Sequence, residues 1–165
     1  MKRKNNAVFL TRGAAIAAIY VILTYISHIL GLASGPIQLR LSEALCILPF
    51  FFSEAVGGLA VGCLVANLLT GAAIWDVFFG AFATFIGALG ARALKKISPR
   101  LMWLTPLPTV LSNALIIPLV LRYAYGVPDA LPYLILTVGV GEILSAWVLG
   151  LILCSGLKRT ALFKK

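Results

Sequence analysis

Long hydrophobic runs fill this chain and are divided by clusters of glycine, proline and charged residues. A helix that crosses the hydrocarbon core of a bilayer needs about 20 mostly apolar residues. Four runs reach that length, and they predict membrane-spanning helices at residues 7–32, 74–96, 104–125 and 131–157. The first helix ends at the helix-breaking stretch from Ala33 to Pro36.

The stretch from Ser42 to Gly71 is harder to divide, because about 30 residues exceed one ordinary span and fall short of two. Glu54, followed by Gly57 and Gly58, indicates a turn near its middle. This interpretation predicts two short helices at residues 42–53 and 55–71, and six spans in all. The alternative is a re-entrant hairpin, which would leave four true spans.

Charge placement predicts the orientation in the membrane. Of the 14 Lys and Arg residues, 12 form three clusters: Lys2, Arg3, Lys4 and Arg12; Arg92, Lys95, Lys96 and Arg100; and Lys158, Arg159, Lys164 and Lys165. Because positive residues stay on the cytoplasmic side, an even number of spans must separate the clusters. The sequence therefore predicts an all-α integral membrane protein of six transmembrane helices with both termini in the cytoplasm.

Composition agrees with this class, since 61% of the residues are hydrophobic, 12% are charged and the mean hydropathy is +1.04. A soluble domain has roughly 25% charged residues. The net charge of +9 lies in short flanks of apolar runs. The positive-inside effect and anionic lipid headgroups explain those flanks, so we expect contact with membrane lipid and no nucleic-acid partner.

Several polar residues fall within or beside the predicted helices, where an ionisable group is costly and usually faces a partner or a ligand. In the predicted orientation they lie in the outer half of the membrane: Arg40, Glu43, Asn67, Asp76, Asn113 and Glu142. The first four lie near outer helix ends, whereas Asn113 and Glu142 lie about ten residues, or about 15 Å, deeper. This distribution predicts a polar pocket that opens outward and has its floor near the midplane.

Structural explanations compete for most of these residues. Glu43 and Asp76 occupy first helical turns, where a carboxylate favours the helix dipole and caps the end. Arg40 and Glu43 can pair with each other, and Asn113 can hydrogen-bond a neighbouring helix. Glu142 has the weakest structural explanation, because glycines open space beside it and no cation lies on its own helix. Trp75 fits either an aromatic belt at the headgroups or a stacking surface for a flat ligand.

The sequence lacks the motifs of several chemistries. It has no GxxxxGK[ST] phosphate loop, no HExxH, no GxSxG and no paired-Cys motif, and it has a single His. We therefore expect no enzyme activity, no catalytic residues, no metal site and no cofactor in this chain. A pocket without a catalytic set favours capture and transport of a small molecule.

Small residues on the first helix indicate a second kind of surface. Ala14 and Ala18 lie four residues apart, on one helical face in the cytoplasmic half of the predicted span. Such a smooth face can receive a helix of another protein.

Motifs along most of the chain resemble the QueT family: QLRLSEAL at residues 38–45, then LPF at 48–50, ANL at 66–68, WDVFFG at 75–80 and the late Gly141-Glu142 pair. QueT proteins are regarded as substrate-binding (S) components of energy-coupling factor (ECF) transporters for queuosine precursors. The resemblance implies six helices, an outer ligand pocket and a bacterial cell-membrane location. It also implies that Ala14 and Ala18 dock on a transmembrane coupling subunit, which is driven by two partner ATPases that use ATP.

The implied ligand is a deazaguanine, such as the aminomethyl form or queuine. Carboxylates suit its donor edge or its ammonium, amides read donor and acceptor together, and an aromatic ring stacks on its plane. The candidate binding residues are Arg40, Glu43, Asn67, Trp75, Asp76, Asn113 and Glu142. Which acid meets the ring and which the amine stays open. The alternatives are an S component for another vitamin-like ligand and a standalone small-solute carrier.

Overall fold

A bundle of helices makes up the computed structural model, which describes residues 2–33 and 37–159. The helices in these ranges are α1 (Lys2–Ile29), α2 (Leu41–Phe51), α3 (Glu54–Leu69), α4 (Ile74–Ile97), α5 (Leu107–Tyr123) and α6, which runs as Leu131–Glu142, a π-helical stretch Ile143–Val148 and Leu149–Arg159. A 3-10 turn at Pro99–Leu104 precedes α5. The predicted all-helical class is confirmed.

Four stretches are long and apolar enough to cross a membrane: Asn6–Ile29, Ile74–Ile97, Pro99–Tyr123 and Leu131–Leu157. Their outward faces carry large exposed hydrophobic side chains, among them Ile22, Phe82, Leu115 and Leu136. So much exposed apolar surface is unfavourable in water and is expected where lipid is the solvent. The helices α2 and α3 are apolar as well but shorter.

Three glycines end α1, α3 and α5 at one end of the bundle. Gly31, Gly71 and Gly126 have φ of 68°, 73° and 67°, a region that favours glycine at helix C-termini. After α3, for example, the Ala72 N–H donates to the Asn67 carbonyl at 3.0 Å. We call this the upper end, and we call the opposite end, with the turns at Phe52–Ser53 and Ser98–Pro106, the lower end.

The turn expected near Glu54 lies at Phe52 and Ser53, between α2 and α3. Gly57 and Gly58, which helped to indicate it, lie inside α3 instead. Close helix packing requires Gly58 there, because a Cβ would lie 2.6 Å from the carbonyl oxygen of Gly13 on α1. Gly62, one turn later on α3, leaves room for α1 in the same way.

Residues 37–51 join the upper end to the lower end although they are few. Residues 37–40 are non-helical, Leu41–Ile47 form a 3-10 helix, and only Leu48–Phe51 is α-helical. Extended and 3-10 backbones rise about 3.3 and 2.0 Å per residue, against about 1.5 Å for an α-helix. This segment therefore covers more distance than an α-helix of the same 15 residues would.

Candidate functional site

A polar cavity of about 300 Å³ opens at the upper end of the bundle. It lies among the ends of α1, α3 and α4, the upper half of α5 and the segment before α2. Its lining residues are Thr24, His28, Ala33, Gln38, Arg40, Asn67, Thr70, Gly71, Ala72, Asp76, Ile117, Leu121, Tyr125 and Val127. We call it the main cavity. It contains three of the predicted site residues, which are Arg40, Asn67 and Asp76.

Asp76 and Arg40 form an ion pair in the main cavity. Asp76 Oδ2 lies 4.0 Å from Arg40 Nη2 and accepts a hydrogen bond of 3.2 Å from the Tyr125 hydroxyl. Both side chains are largely removed from solvent, so each charge depends on the other for compensation. Asp76 Oδ1 is buried and has no hydrogen-bond partner among the described residues. Asp76 therefore keeps an acceptor for a ligand.

Arg40 lies directly before the first residue of α2, at the predicted helix end, and its backbone packs between α1 and α6. The segment at 37–40 folds into the bundle, where the Arg40 N–H donates to Ser145 Oγ at 3.0 Å and the Leu41 N–H donates to Ser27 Oγ at 2.9 Å. Gly141 of α6 lies directly against the Gln38 carbonyl, and a side chain there would overlap it. Hydroxyls of α1 and α6 thus accept hydrogen bonds from non-helical backbone N–H groups, which lipid tails could not do.

The floor of the site is a small cavity of about 20 Å³, lined by Gln38, Arg40, Asn113, Ile117, Val138 and Glu142. Asn113 Nδ2 and Glu142 Oε2 are buried and make no hydrogen bond of good geometry in the described chain, although the Asn113 amide lies close enough to interact with the Glu142 carboxylate. The cations that the sequence places on α6, Lys158 and Arg159, lie about 16 residues from Glu142 at the lower end, so none is near it. The structure supplies one from another segment, since Arg40 lines the same cavity.

Two predicted site residues lie outside these cavities. Glu43 is buried behind the main cavity, where its carboxylate accepts a hydrogen bond from the Tyr20 hydroxyl. Glu43 lies in the first turn of α2, as predicted, and its side chain reaches the middle of α1. Trp75 stacks on Phe79 and lines an apolar groove of about 410 Å³ between α4 and α5, on the lipid-facing side. The structure does not bring Trp75 to the polar lining.

Asn67 lines the main cavity but also holds the fold. Its Nδ2 donates to the Asp76 carbonyl at 3.1 Å and so fixes the first turn of α4 against the end of α3. Gly80 leaves room for this amide, because a Cβ at Gly80 would lie 2.8 Å from Asn67 Nδ2. The side chain therefore positions Asp76 whether or not it also contacts a ligand.

Two residues of the site were not predicted from the sequence. Gln38 lines both the main cavity and the floor, and its place at the start of the QLRLSEAL motif was the available signal. A tyrosine at a helix end is typical of the aromatic belt at a membrane interface, but the Tyr125 hydroxyl donates to Asp76 and accepts the Ala73 N–H at 2.9 Å. The contact with Asp76 joins residues 49 apart in sequence, which no local pattern reveals.

The small residues of α1 divide between two faces. Gly13 and Ala17 face α3, where they approach its backbone closely. Ala14 and Ala18 are exposed on the opposite face. They are therefore free of the internal packing seam and lie where another membrane protein can reach them.

Comparison with known proteins gives a consistent result. The family model described as QueT transporter matches residues 10–159. A Lactococcus lactis subsp. cremoris protein described as "Queuosine precursor transporter QueT" is 29% identical over 102 residues, which are 61% of this chain and 60% of that protein. No solved structure gives a significant match. With the four apolar helices, these matches identify a multi-pass protein of the bacterial plasma membrane.

Proposed function

This chain belongs to the QueT transporter family, and we propose that it is the substrate-capturing membrane subunit of an ATP-driven ECF-type importer for a queuosine precursor. The observation that carries the proposal is the set of unused polar atoms around one cavity system. Five buried side-chain atoms make no hydrogen bond of good geometry among the described residues, and three of them border this cavity system: Asp76 Oδ1, Asn113 Nδ2 and Glu142 Oε2. Because such atoms are costly when unpaired, they favour a ligand that pairs with them.

Charge and size agree with a deazaguanine. The cavities are lined by two carboxylates, Asp76 and Glu142, and by one guanidinium, Arg40. One cation cannot pair with all four carboxylate oxygens, so acceptors remain for a ligand that is rich in hydrogen-bond donors. The floor cavity has room for one group of the size of water, such as an exocyclic amine. The main cavity, at about 300 Å³, is at the lower limit of small-ligand sites and suits a bicyclic base.

The proposed topology has six membrane crossings, with the upper end outside and the lower end and both termini in the cytoplasm. Residues 37–51 and α3 supply the two crossings that the four long helices do not. A Ser98→Cys variant should resist an impermeant thiol reagent in intact cells and react after permeabilisation. A Pro128→Cys variant at the upper end should react in intact cells. Labelling of the Ser98→Cys variant in intact cells would overturn this orientation.

In the proposed complex, the exposed face of Ala14 and Ala18 docks on the coupling subunit, and two ATPases supply the energy. Ala14→Leu or Ala18→Trp should weaken copurification of the coupling subunit and ATPases and reduce uptake. Leu115→Trp is the matched control, because it enlarges an exposed apolar side chain on α5. Equal loss of ligand affinity by the isolated Ala18→Trp protein would place this face in the internal packing instead.

Mass spectrometry of the small molecules that copurify with the protein tests the ligand directly. Expression in cells fed an isotope-labelled deazaguanine should yield a protein-bound species of that mass. Washing the protein with an excess of the unlabelled ligand should exchange it. A bound vitamin of another class would support the alternative S component. Uptake by the chain alone, with no ATPase in the purified complex, would instead identify a standalone carrier.

A further inference from the structure

The apolar groove between α4 and α5 is closed toward the lower end by close packing of the two helices. At Gly87 the helices touch, because a Cβ there would lie 2.6 Å from Thr109 Oγ1. Nearer the upper end, Ser112 Oγ donates to the Ala83 carbonyl at 2.9 Å and still joins them. The groove lies above these contacts, where larger side chains separate the helices. It is therefore a wedge that is closed below and opens at the upper end.

The lining and depth of the groove match the hydrocarbon layer of one leaflet. The described residues that line it are all aliphatic or aromatic. Along α5 the lining runs from Ile116 to Ala124, which is about 12 Å at 1.5 Å per residue. One leaflet contributes half of the hydrocarbon core, which is about 30 Å thick in total. The groove thus spans most of the apolar depth of the leaflet at the upper end.

The occupant of such a groove has to be slender as well as apolar. A helical segment about 12 Å long and about 10 Å across occupies roughly 900 Å³. That is more than twice the volume of the groove, which is about 410 Å³. Water is disfavoured, because the aliphatic and aromatic walls offer few hydrogen-bond partners. A single acyl chain is thin, flexible and apolar, and membrane lipid is what surrounds this face in a bilayer.

A cation that the charge pattern does not explain lies at the upper end of α5. Arg122 is one of two basic residues outside the three clusters, and it is exposed one turn above Leu119 of the groove. Its Nη1 donates to the carbonyls of Val127 at 3.1 Å and Asp129 at 3.2 Å, which fixes the guanidinium at the upper end. It forms no ion pair with any residue that the structure describes. A lipid phosphate is an anion at this level, and guanidinium groups bind phosphate strongly.

We propose that the apolar groove binds one acyl chain of a glycerophospholipid and that Arg122 binds the phosphate of the same lipid. Trp75 and Tyr123 are exposed at the mouth of the groove and lie at the level of the headgroup, where aromatic residues are favoured. The inference requires that the bundle lie in a membrane, but it uses none of the ligand contacts in the main cavity. The lipid site is therefore expected whether or not a ligand is bound.

Photo-crosslinking tests the groove. The purified full chain is reconstituted into phosphatidylcholine vesicles that contain a trace of phosphatidylglycerol with a diazirine in the middle of one acyl chain. Peptide mass spectrometry should find more crosslinks at Phe82 and Ile116 in the groove than at Leu115, which is exposed on α5 outside it. Ala124→Phe and Leu119→Trp each fill the groove and should remove most of these crosslinks. Leu115→Trp is the matched control and should retain them.

A second probe tests Arg122. A diacylglycerol with the same diazirine chain lacks the phosphate, so it should label the groove of the parent about two- to fivefold less than the phospholipid does, as expected for an exposed ion pair. Arg122→Gln keeps a donor for the loop carbonyls and loses the charge. It should reduce labelling by the phospholipid to the level of the diacylglycerol and leave labelling by the diacylglycerol unchanged.

Equal labelling of the groove residues and Leu115 in the parent would overturn the proposal, and so would groove labelling that survives both filling variants. Equal labelling of the parent groove by the two probes would remove the phosphate contact of Arg122. A chemically crosslinked dimer that Ala124→Phe abolishes would make a second copy of this chain the occupant and overturn the lipid site. Thermal denaturation shows whether the filling variants are folded, and if neither is, the labelling pattern of the parent decides.

Discussion

Two arginine–carboxylate pairs lie at opposite ends of this bundle and differ in what surrounds them. At the lower end, Arg12 and Glu54 are 3.4 Å apart, the Arg12 side chain is 59% exposed, and Ser53 donates to the other Glu54 oxygen. At the upper end, Arg40 and Asp76 are 4.0 Å apart and only 19% and 9% exposed, and Asp76 Oδ1 has no partner in the described chain.

The difference separates a packing contact from a binding site. The lower pair closes the seam between α1 and α3, and both carboxylate oxygens of Glu54 are hydrogen-bonded. The upper pair lies among polar groups that the protein does not satisfy, and such groups at membrane depth are typical of functional sites. Whether a carboxylate in a membrane helix belongs to a packing contact or to a binding site can therefore be judged only from the groups that surround it.

The largest expected effect comes from removing each arginine. Arg40→Met should lower the free energy of unfolding in detergent by about 3–5 kcal/mol, because it leaves buried acids without their cation. Arg12→Met should cost less than about 1 kcal/mol, since solvent reaches that pair. Thermal denaturation of the two variants measures the difference. Similar losses of unfolding free energy in the two variants would show that the two ion pairs contribute equally to stability.

Overpacking the α1–α3 seam should give the next largest effect. Gly62→Ala places a Cβ 2.8 Å from Tyr20 Cβ and should destabilise the protein by about 1–3 kcal/mol. Gly57→Ala is the matched control, because nothing lies within 4 Å of a Cβ there. Thermal denaturation compares them. A stable Gly62→Ala protein would mean that the seam adapts and does not depend on close backbone approach.

Removing the Asn113 amide should weaken ligand binding about fivefold, the equivalent of about 1 kcal/mol for one hydrogen bond. Asn113→Ala is the variant, and Nδ2 is the atom that lacks a partner in the described chain. Fluorescence or calorimetric titration measures the affinity, and thermal denaturation checks that stability is kept. If stability falls and affinity does not, Asn113 is a packing residue.

The smallest expected effect is that of Tyr125→Phe, which removes the hydrogen bond to Asp76 and retains the ring. Affinity should fall about two- to fivefold, because Asp76 keeps its charge and loses only part of its positioning. Tyr123→Phe is the control, since Tyr123 is exposed on the same helix end. Equal titrations of the two variants would remove Tyr125 from the site.

Sequence reasoning reached the all-helical class and the division into apolar segments because long hydrophobic runs and glycine breaks are local signals. It also placed the two short helices close to the observed Leu41–Phe51 and Glu54–Leu69, but it did not predict the 3-10 backbone of Leu41–Ile47. Non-helical and 3-10 backbone covers more distance per residue than an α-helix, so a segment that looks too short for a span by length reaches from one end of the bundle to the other.

The candidate site was only partly predictable for a related reason. Asn67, Asp76, Asn113 and Glu142 could be picked out as rare polar residues in apolar helices. The partners of Arg40 and Glu43 could not, since Asp76 and Tyr20 lie on other helices. The same holds for Tyr125, whose ring is typical of a membrane interface and whose hydroxyl serves Asp76 through a long-range contact.

Calorimetric titration of the aminomethyl deazaguanine into the parent, Glu142→Gln and Glu54→Gln proteins tests the central claim most directly. Both changes replace a carboxylate by an amide of the same shape. Loss of a charge-assisted hydrogen bond at Glu142 should cost about 1.5–3 kcal/mol, or roughly ten- to a hundredfold in affinity, whereas Glu54→Gln should bind like the parent. Unchanged affinity of Glu142→Gln, or equal losses in both variants, would contradict a binding site at the upper end.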